Sequence, residues 1–171
     1  MKAIVIGATG AVGQDLVKTL LYDNRYETVT TFTRRPLGFT HPKIQSFIVD
    51  FNLPDTWHHL VQGDVLFSAL GTSLKQAGSK EAQYRVDHDY QLSFARAARE
   101  NGVPHMVLVS SVGADSSSRF FYLQLKGLIE KDVEALQFPS LTILRPPSLI
   151  RKHAKRPAET VSVKLLQLAS S

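Results

Sequence analysis

Short apolar runs alternate with stretches in which apolar residues return every third or fourth position, and the alternation continues to about residue 150. Runs rich in Val, Ile and Phe read as strands buried on both sides, and the 3.6-residue period reads as helices laid over them. The pattern predicts strands at 2–6, 27–32, 44–49, 65–68, 106–110 and 141–144. Helices are predicted at 11–21, 80–100 and 118–136, with a short one at 53–61. In the first, Val12, Leu16, Val17, Leu20 and Leu21 make the apolar stripe, with Gln14, Asp15 and Lys18 between them. Asn101-Gly102 closes the second, and Pro104 prevents its continuation. Strands alternating with helices predict an α/β architecture, a doubly wound parallel sheet with helices on both faces. At 171 residues the expectation is one domain over 1–171, with a short C-terminal substrate or lid region from about residue 147.

The first strand runs straight into Gly7-Ala8-Thr9-Gly10-Ala11-Val12-Gly13. Three glycines between strand and helix are what the Rossmann type of sheet needs to bring backbone against a pyrophosphate. One makes the tight turn, one allows close approach, and one lets helix pack on strand. Gly7, Thr9, Gly10, Ala11, Val12 and Gly13 are therefore candidate dinucleotide contacts, with the amides at the helix start facing the anion. In such sheets ligands gather at the carboxyl ends of the strands. Those ends read Gly7, Thr33-Arg34-Arg35, Asp50-Phe51, Ser68 to Thr72, Ser110 to Gly113 and Arg145-Pro146-Pro147.

The end of the second strand bears on which dinucleotide is bound. A carboxylate there, about 20 residues beyond the glycines, holds an unmodified ribose 2′-hydroxyl. Twenty-one residues past Gly13 stands Arg34, followed by Arg35. Paired guanidinium forks suit a 2′-phosphate, so the expected cofactor is NADP(H). Asp50 is placed to accept from the adenine amino group, or else to form a turn, with Phe51 beside the ring.

Tyr122 and Lys126 are four apart and share a helix face. An ammonium about 5 Å from a phenolate favours it by roughly 3 kcal/mol at an effective dielectric near 20, so the pair can act as acid and base. Seven segments then resemble the atypical NAD(P)-binding branch of the short-chain dehydrogenase/reductase superfamily, the one that includes HTATIP2-like proteins. They are Gly-Ala-Thr-Gly-Ala-Val-Gly at 7–13, Thr-Arg-Arg at 33–35, Ala-Leu-Gly-Thr at 69–72, Val-Asp-His-Asp-Tyr at 86–90, Ser-Ser-Val-Gly-Ala-Asp at 110–115, Tyr-Leu-Gln-Leu-Lys-Gly at 122–127 and Leu-Arg-Pro at 144–146. The resemblance implies a serine, tyrosine and lysine triad carried by Ser111, Tyr122 and Lys126, with Ser110 as the alternative serine. It also implies that Ala69, Leu70, Gly71 and Thr72 pass close to the cofactor, that Lys126 holds ribose hydroxyls, and that Pro146 shapes the chain beside the nicotinamide. The implied activity is reduction of a carbonyl or similar group on a small organic substrate. A protein that senses NADP(H) without turnover is the alternative.

Composition trims the other classes. With no cysteine there is no disulfide, thiolate nucleophile or zinc-thiolate site, and the six histidines show no ligand spacing with acids, so no metal is expected. No apolar run is long enough to span a bilayer, so no membrane partner is expected. Met1-Lys2 leads directly into a strand that the glycine turn needs, and the expected location is the cytoplasm. A net charge of +5 could attract nucleic acid, but the basic run Arg151, Lys152, His153, Lys155 and Arg156 lacks aromatic interleaving, so no nucleic-acid partner is expected. The long helix at 80–100 could pair with its twin in a homodimer or simply cover the sheet, and in the sensing alternative NADP(H) binding orders a surface for a protein partner.

Overall fold

The computed structural model describes residues 1–147. Six strands, β1 (Lys2–Ile6), β2 (Thr28–Thr33), β3 (Ile44–Ile48), β4 (Val65–Ser68), β5 (His105–Val109) and β6 (Ser140–Leu144), form one sheet. Their order is β3-β2-β1-β4-β5-β6, and every neighbouring pair is parallel. From β1 the chain winds outward to β2 and β3, then returns to place β4, β5 and β6 on the other side. The carboxyl ends of β1 and β4 therefore border the crevice where the winding reverses. The fold is a Rossmann-type α/β sheet, as the alternating pattern predicts.

The helices are α1 (Ala11–Tyr22), α2 (Leu74–Ala77), α3 (Lys80–Tyr84), α4 (Tyr90–Glu100) and α5 (Phe121–Glu134). Alternate residues of β1 feed two cores. Ala3 and Val5 meet Val17, Leu20 and Leu21 of α1, while Ile4 and Ile6 join Phe32, Leu66, Met106, Leu108 and the inward faces of α4 and α5. The second core contains Trp57, which stacks on Phe94 with ring centroids 3.9 Å apart and an 11° tilt. Its indole N–H donates to the Asp50 carbonyl at 2.9 Å, so the ring is both packed and satisfied.

Several predicted boundaries shift, each for a local reason. The single helix expected at 80–100 is α3, a π-helical turn at Arg85–Asp89, and α4. The Gln91 side chain donates to the Asp87 carbonyl at 2.6 Å, which places a side chain inside the helical ladder where the turn widens. Residues 118–120 are not helical, because Asp115 accepts from the backbone and hydroxyl of Ser117, and the Ser118 hydroxyl accepts from the Phe120 N–H. Instead of one helix at 53–61 there are two 3-10 turns, Pro54–Thr56 and His58–Leu60, either side of buried Trp57. The short α2 was not predicted. Its signal is Ser73, three residues ahead of Gln76, whose N–H the Ser73 hydroxyl accepts at 3.2 Å. The expected lid region beyond residue 147 and the basic run at 151–156 lie outside the described residues.

Candidate dinucleotide site

The glycine turn is a close-packed joint. Gly7 adopts a φ of +83°, which L side chains rarely accept, and a Cβ there would come within 2.5 Å of the Leu70 backbone nitrogen. A Cβ on Gly13 would overlap the Gly7 carbonyl. Gly10 sits between them, its N–H donating to the Gly7 carbonyl at 2.9 Å. It caps α1 without a side-chain hydrogen bond, and the first turn of α1 holds no acidic residue. The first amides of the helix therefore face the crevice with neither a capping oxygen nor a carboxylate to satisfy them.

Over this joint a cleft opens in two lobes that share Leu70. The smaller, about 410 Å³, is lined by Gly7, Thr9, Thr33, Arg34, Arg35 and Phe51, among others. Both arginines are exposed, and neither makes an ion pair or hydrogen bond among the described residues. Phe51 reaches the lobe while packed edge-on against Phe94 and Tyr90. Asp50 is not there. Its carboxylate accepts from the Asn52 N–H at 2.9 Å and from the Asn52 side-chain amide at 2.8 Å. The backbone N–H, more than the amide, holds the carboxyl below the usual carboxylate range. Asp50 is thus a turn former, the other role its sequence position allows.

The larger lobe, about 520 Å³, is lined by Gly10, Ala11 and Val12, by Ala69 to Leu74, and by Ser110, Tyr122 and Lys126. Of the two candidate serines, Ser110 lines this lobe and Ser111 does not. Ser110 directly follows β5 and is buried, whereas the Ser111 hydroxyl donates to the Val112 carbonyl 3.3 Å away. Tyr122 is 42% exposed at the mouth, and its hydroxyl has no hydrogen-bond partner among the described residues. Lys126 lies one turn further along α5, its Nζ 5.8 Å from the Tyr122 ring centre. Pro146 is buried and lines neither lobe, and its carbonyl accepts the Val112 N–H at 3.2 Å.

One residue of the lobe carries charge that sequence reasoning missed. Asp87, in the π turn, pairs with Lys126 at 2.9 Å, both side chains being buried. Its second oxygen accepts the Thr72 N–H at 2.8 Å. Val86 to Tyr90 was visible as a matching segment, but no spacing rule says that a helix widens to turn Asp87 inward. The buried carboxylate also changes the electrostatics expected of Lys126, because its ammonium is already opposed by a negative charge.

The residues fit a dinucleotide. Among the described residues just two buried side-chain oxygens lack a hydrogen-bond partner, Thr33 Oγ1 and Ser110 Oγ, and each lobe contains one of them. Buried polar atoms left unpaired are costly, and two of them along one cleft mark where a ligand's polar groups belong. A family model for NAD(P)H-binding proteins matches residues 7–166. The chain belongs to this NAD(P)H-binding family. It is 39% identical over 162 residues to the mitochondrial protein FMP52 of Debaryomyces hansenii, covering 91% of this chain and 70% of that protein. It is also 39% identical over 165 residues to Protein HTATIP2 of Rattus norvegicus, covering 94% and 68%. Among solved structures it resembles a short-chain dehydrogenase/reductase superfamily protein from Agrobacterium tumefaciens with bound NAD. That match has a TM-score of 0.71 at 18% identity and covers 85% of this chain and 48% of the other, so the chain spans about half the length of that structure.

The comparisons correct one expectation. FMP52 proteins from Debaryomyces hansenii, Eremothecium gossypii and Saccharomyces cerevisiae, at 38–39% identity, are named as mitochondrial, which points away from the cytoplasm. The length of apolar runs, the lack of cysteine and the place of the first strand, on which the cytoplasmic expectation stands, carry no cellular address. Among the described residues no helix is long and apolar enough to cross a membrane.

Proposed function

We propose that this NAD(P)H-binding protein is an NADP(H)-dependent oxidoreductase that reduces a carbonyl or comparable group on a small organic substrate. What supports the reading most is that Ser110, Tyr122 and Lys126 converge on the lobe bordered by Gly10 to Val12 and Ala69 to Thr72. Three different donors, a buried hydroxyl, an exposed phenol and a buried ammonium, thus face one space next to a dinucleotide cradle.

The amides of Ala11 and Val12 would hold the pyrophosphate, Arg34 and Arg35 a 2′-phosphate, and Lys126 ribose hydroxyls. When bound, NADPH supplies the hydride. Ser110 donates its hydroxyl proton in a hydrogen bond to the substrate oxygen and orients it. Tyr122 delivers a proton to that oxygen as negative charge develops there, and recovers it from solvent through the open mouth of the lobe. Lys126, one helical turn away, stands with its ammonium 5.8 Å from the centre of the phenol ring. NADPH is preferred over NADH because the arginines stand where a carboxylate would otherwise meet an unmodified ribose.

The test is Tyr122→Phe, assayed with a panel of aldehydes and ketones for NADPH consumption. The substitution should lower turnover at least about a hundredfold, the ordinary contribution of a positioned acid, while leaving NADPH affinity within about threefold. Undiminished turnover would remove Tyr122 from the chemistry. Tight NADPH binding by the wild type without consumption of any compound would favour the sensing reading instead.

A further inference from the structure

We infer that Asp87 is a positioning residue that fixes Lys126 and the Ala69–Thr72 loop to each other, so that this half of the cleft is already assembled before a nucleotide arrives. The inference rests on the NADP(H)-binding reading above.

Both carboxylate oxygens of Asp87 are engaged across the cleft wall. Oδ1 takes the Lys126 ammonium of α5 at 2.9 Å, and Oδ2 takes the Thr72 amide at the end of the loop that follows β4 at 2.8 Å. One side chain therefore ties a loop to a helix that it does not adjoin in sequence. Room for this exists because residue 71 is glycine. A Cβ there would stand 3.2 Å from Asp87 Oδ1 and 3.8 Å from Lys126 Nζ.

The aspartate is itself held from behind. Gln91 donates to the Asp87 carbonyl at 2.6 Å, and the Ser68 hydroxyl at the end of β4 donates to Gln91 Oε1 at 2.6 Å. Gln83 donates to the Thr72 carbonyl at 3.1 Å, so the loop is gripped at both its N–H and its C=O. Ser68, Gln91 and Asp87 are buried, and such a chain holds its members in one arrangement. The π turn at Arg85–Asp89 makes the same point from the backbone, since a regular helix is given up where Asp87 and Gln91 meet.

The consequence is specific. An ammonium has three donors, and Asp87 takes one. The pairing orients the remaining donors of Lys126 and removes the freedom of a four-carbon stem that would otherwise be lost on binding. Gln83 keeps its grip on the loop when Asp87 is changed, so the effect of Asp87 on nucleotide affinity passes through Lys126.

A double-mutant cycle tests this on the full chain, using NADPH as the probe and nicotinamide fluorescence as the signal. Asp87→Asn and Lys126→Met should each weaken NADPH about tenfold or more. The double variant should bind within about twofold of Lys126→Met alone. Losses that multiply would show that Asp87 acts independently of Lys126 and would overturn the inference, as would a Lys126→Met protein that binds like the wild type. If Asp87→Asn alone fails to fold, the double variant has lost both buried charges and is compared directly with Lys126→Met. Equal affinity supports the inference, and a further tenfold loss overturns it. A wild type that binds no NADPH at all would overturn the NADP(H) reading, a result separate from either outcome of the cycle.

Discussion

Arg34 and Arg35 face the smaller lobe without a carboxylate partner among the described residues, which leaves both forks free for an anion. Replacing both with alanine should weaken NADPH at least about thirtyfold, equivalent to roughly 2 kcal/mol for two charge-assisted contacts, while changing NADH by less than threefold. Titration of both nucleotides into the variant checks it, and equal losses would contradict the phosphate assignment. Thr33, the next residue inward, was legible as part of the Thr-Arg-Arg motif but not as a site residue. Its buried, unpartnered hydroxyl emerges only with the fold. The two serines at the end of β5 show the same limit at finer grain. Sequence marks Ser110-Ser111 as a pair, but which of them lines the lobe is set by the path of the chain as it leaves β5. Asp50 has a strand-end position that permits two roles, and its bonds to Asn52 decide for the turn.

At the scale of elements, the joint between β1 and α1 was the most legible part of the chain, because a turn that admits no side chain leaves a glycine at each critical position. Gly13→Ala forces a methyl into the Gly7 carbonyl, and neither backbone can withdraw without unseating α1. The substitution should cost about 3 kcal/mol or more, read as a lower urea midpoint, and should abolish NADPH binding even at temperatures where the variant is folded. A stable variant with wild-type affinity would show that the joint is looser than its geometry. Less legible were elements set by tertiary contacts. The two 3-10 turns at 54–60 exist because Trp57 must reach Phe94 and the Asp50 carbonyl, and periodicity does not register a demand from 37 residues away. The π turn is likewise invisible to a 3.6-residue template, since it depends on Gln91 bonding back to Asp87.

At the scale of the molecule, the alternation of strands and helices predicts parallel winding, and the sheet order puts the reversal between β1 and β4. That placement is why residues scattered from 7 to 126 meet over one crevice, with the arginines at one end and Ser110, Tyr122 and Lys126 at the other. Location is a property of a different kind. It is read by cellular machinery rather than fixed by packing, and it was the relatives named as mitochondrial that corrected the cytoplasmic expectation. The claim on which the account depends is that the two lobes together hold a phosphorylated dinucleotide. Calorimetric titration of the wild-type chain with NADPH and, separately, NADH tests it most directly. The account predicts saturable heat for NADPH and an affinity at least tenfold above that for NADH. No heat with NADPH, or tighter binding of NADH, would contradict it.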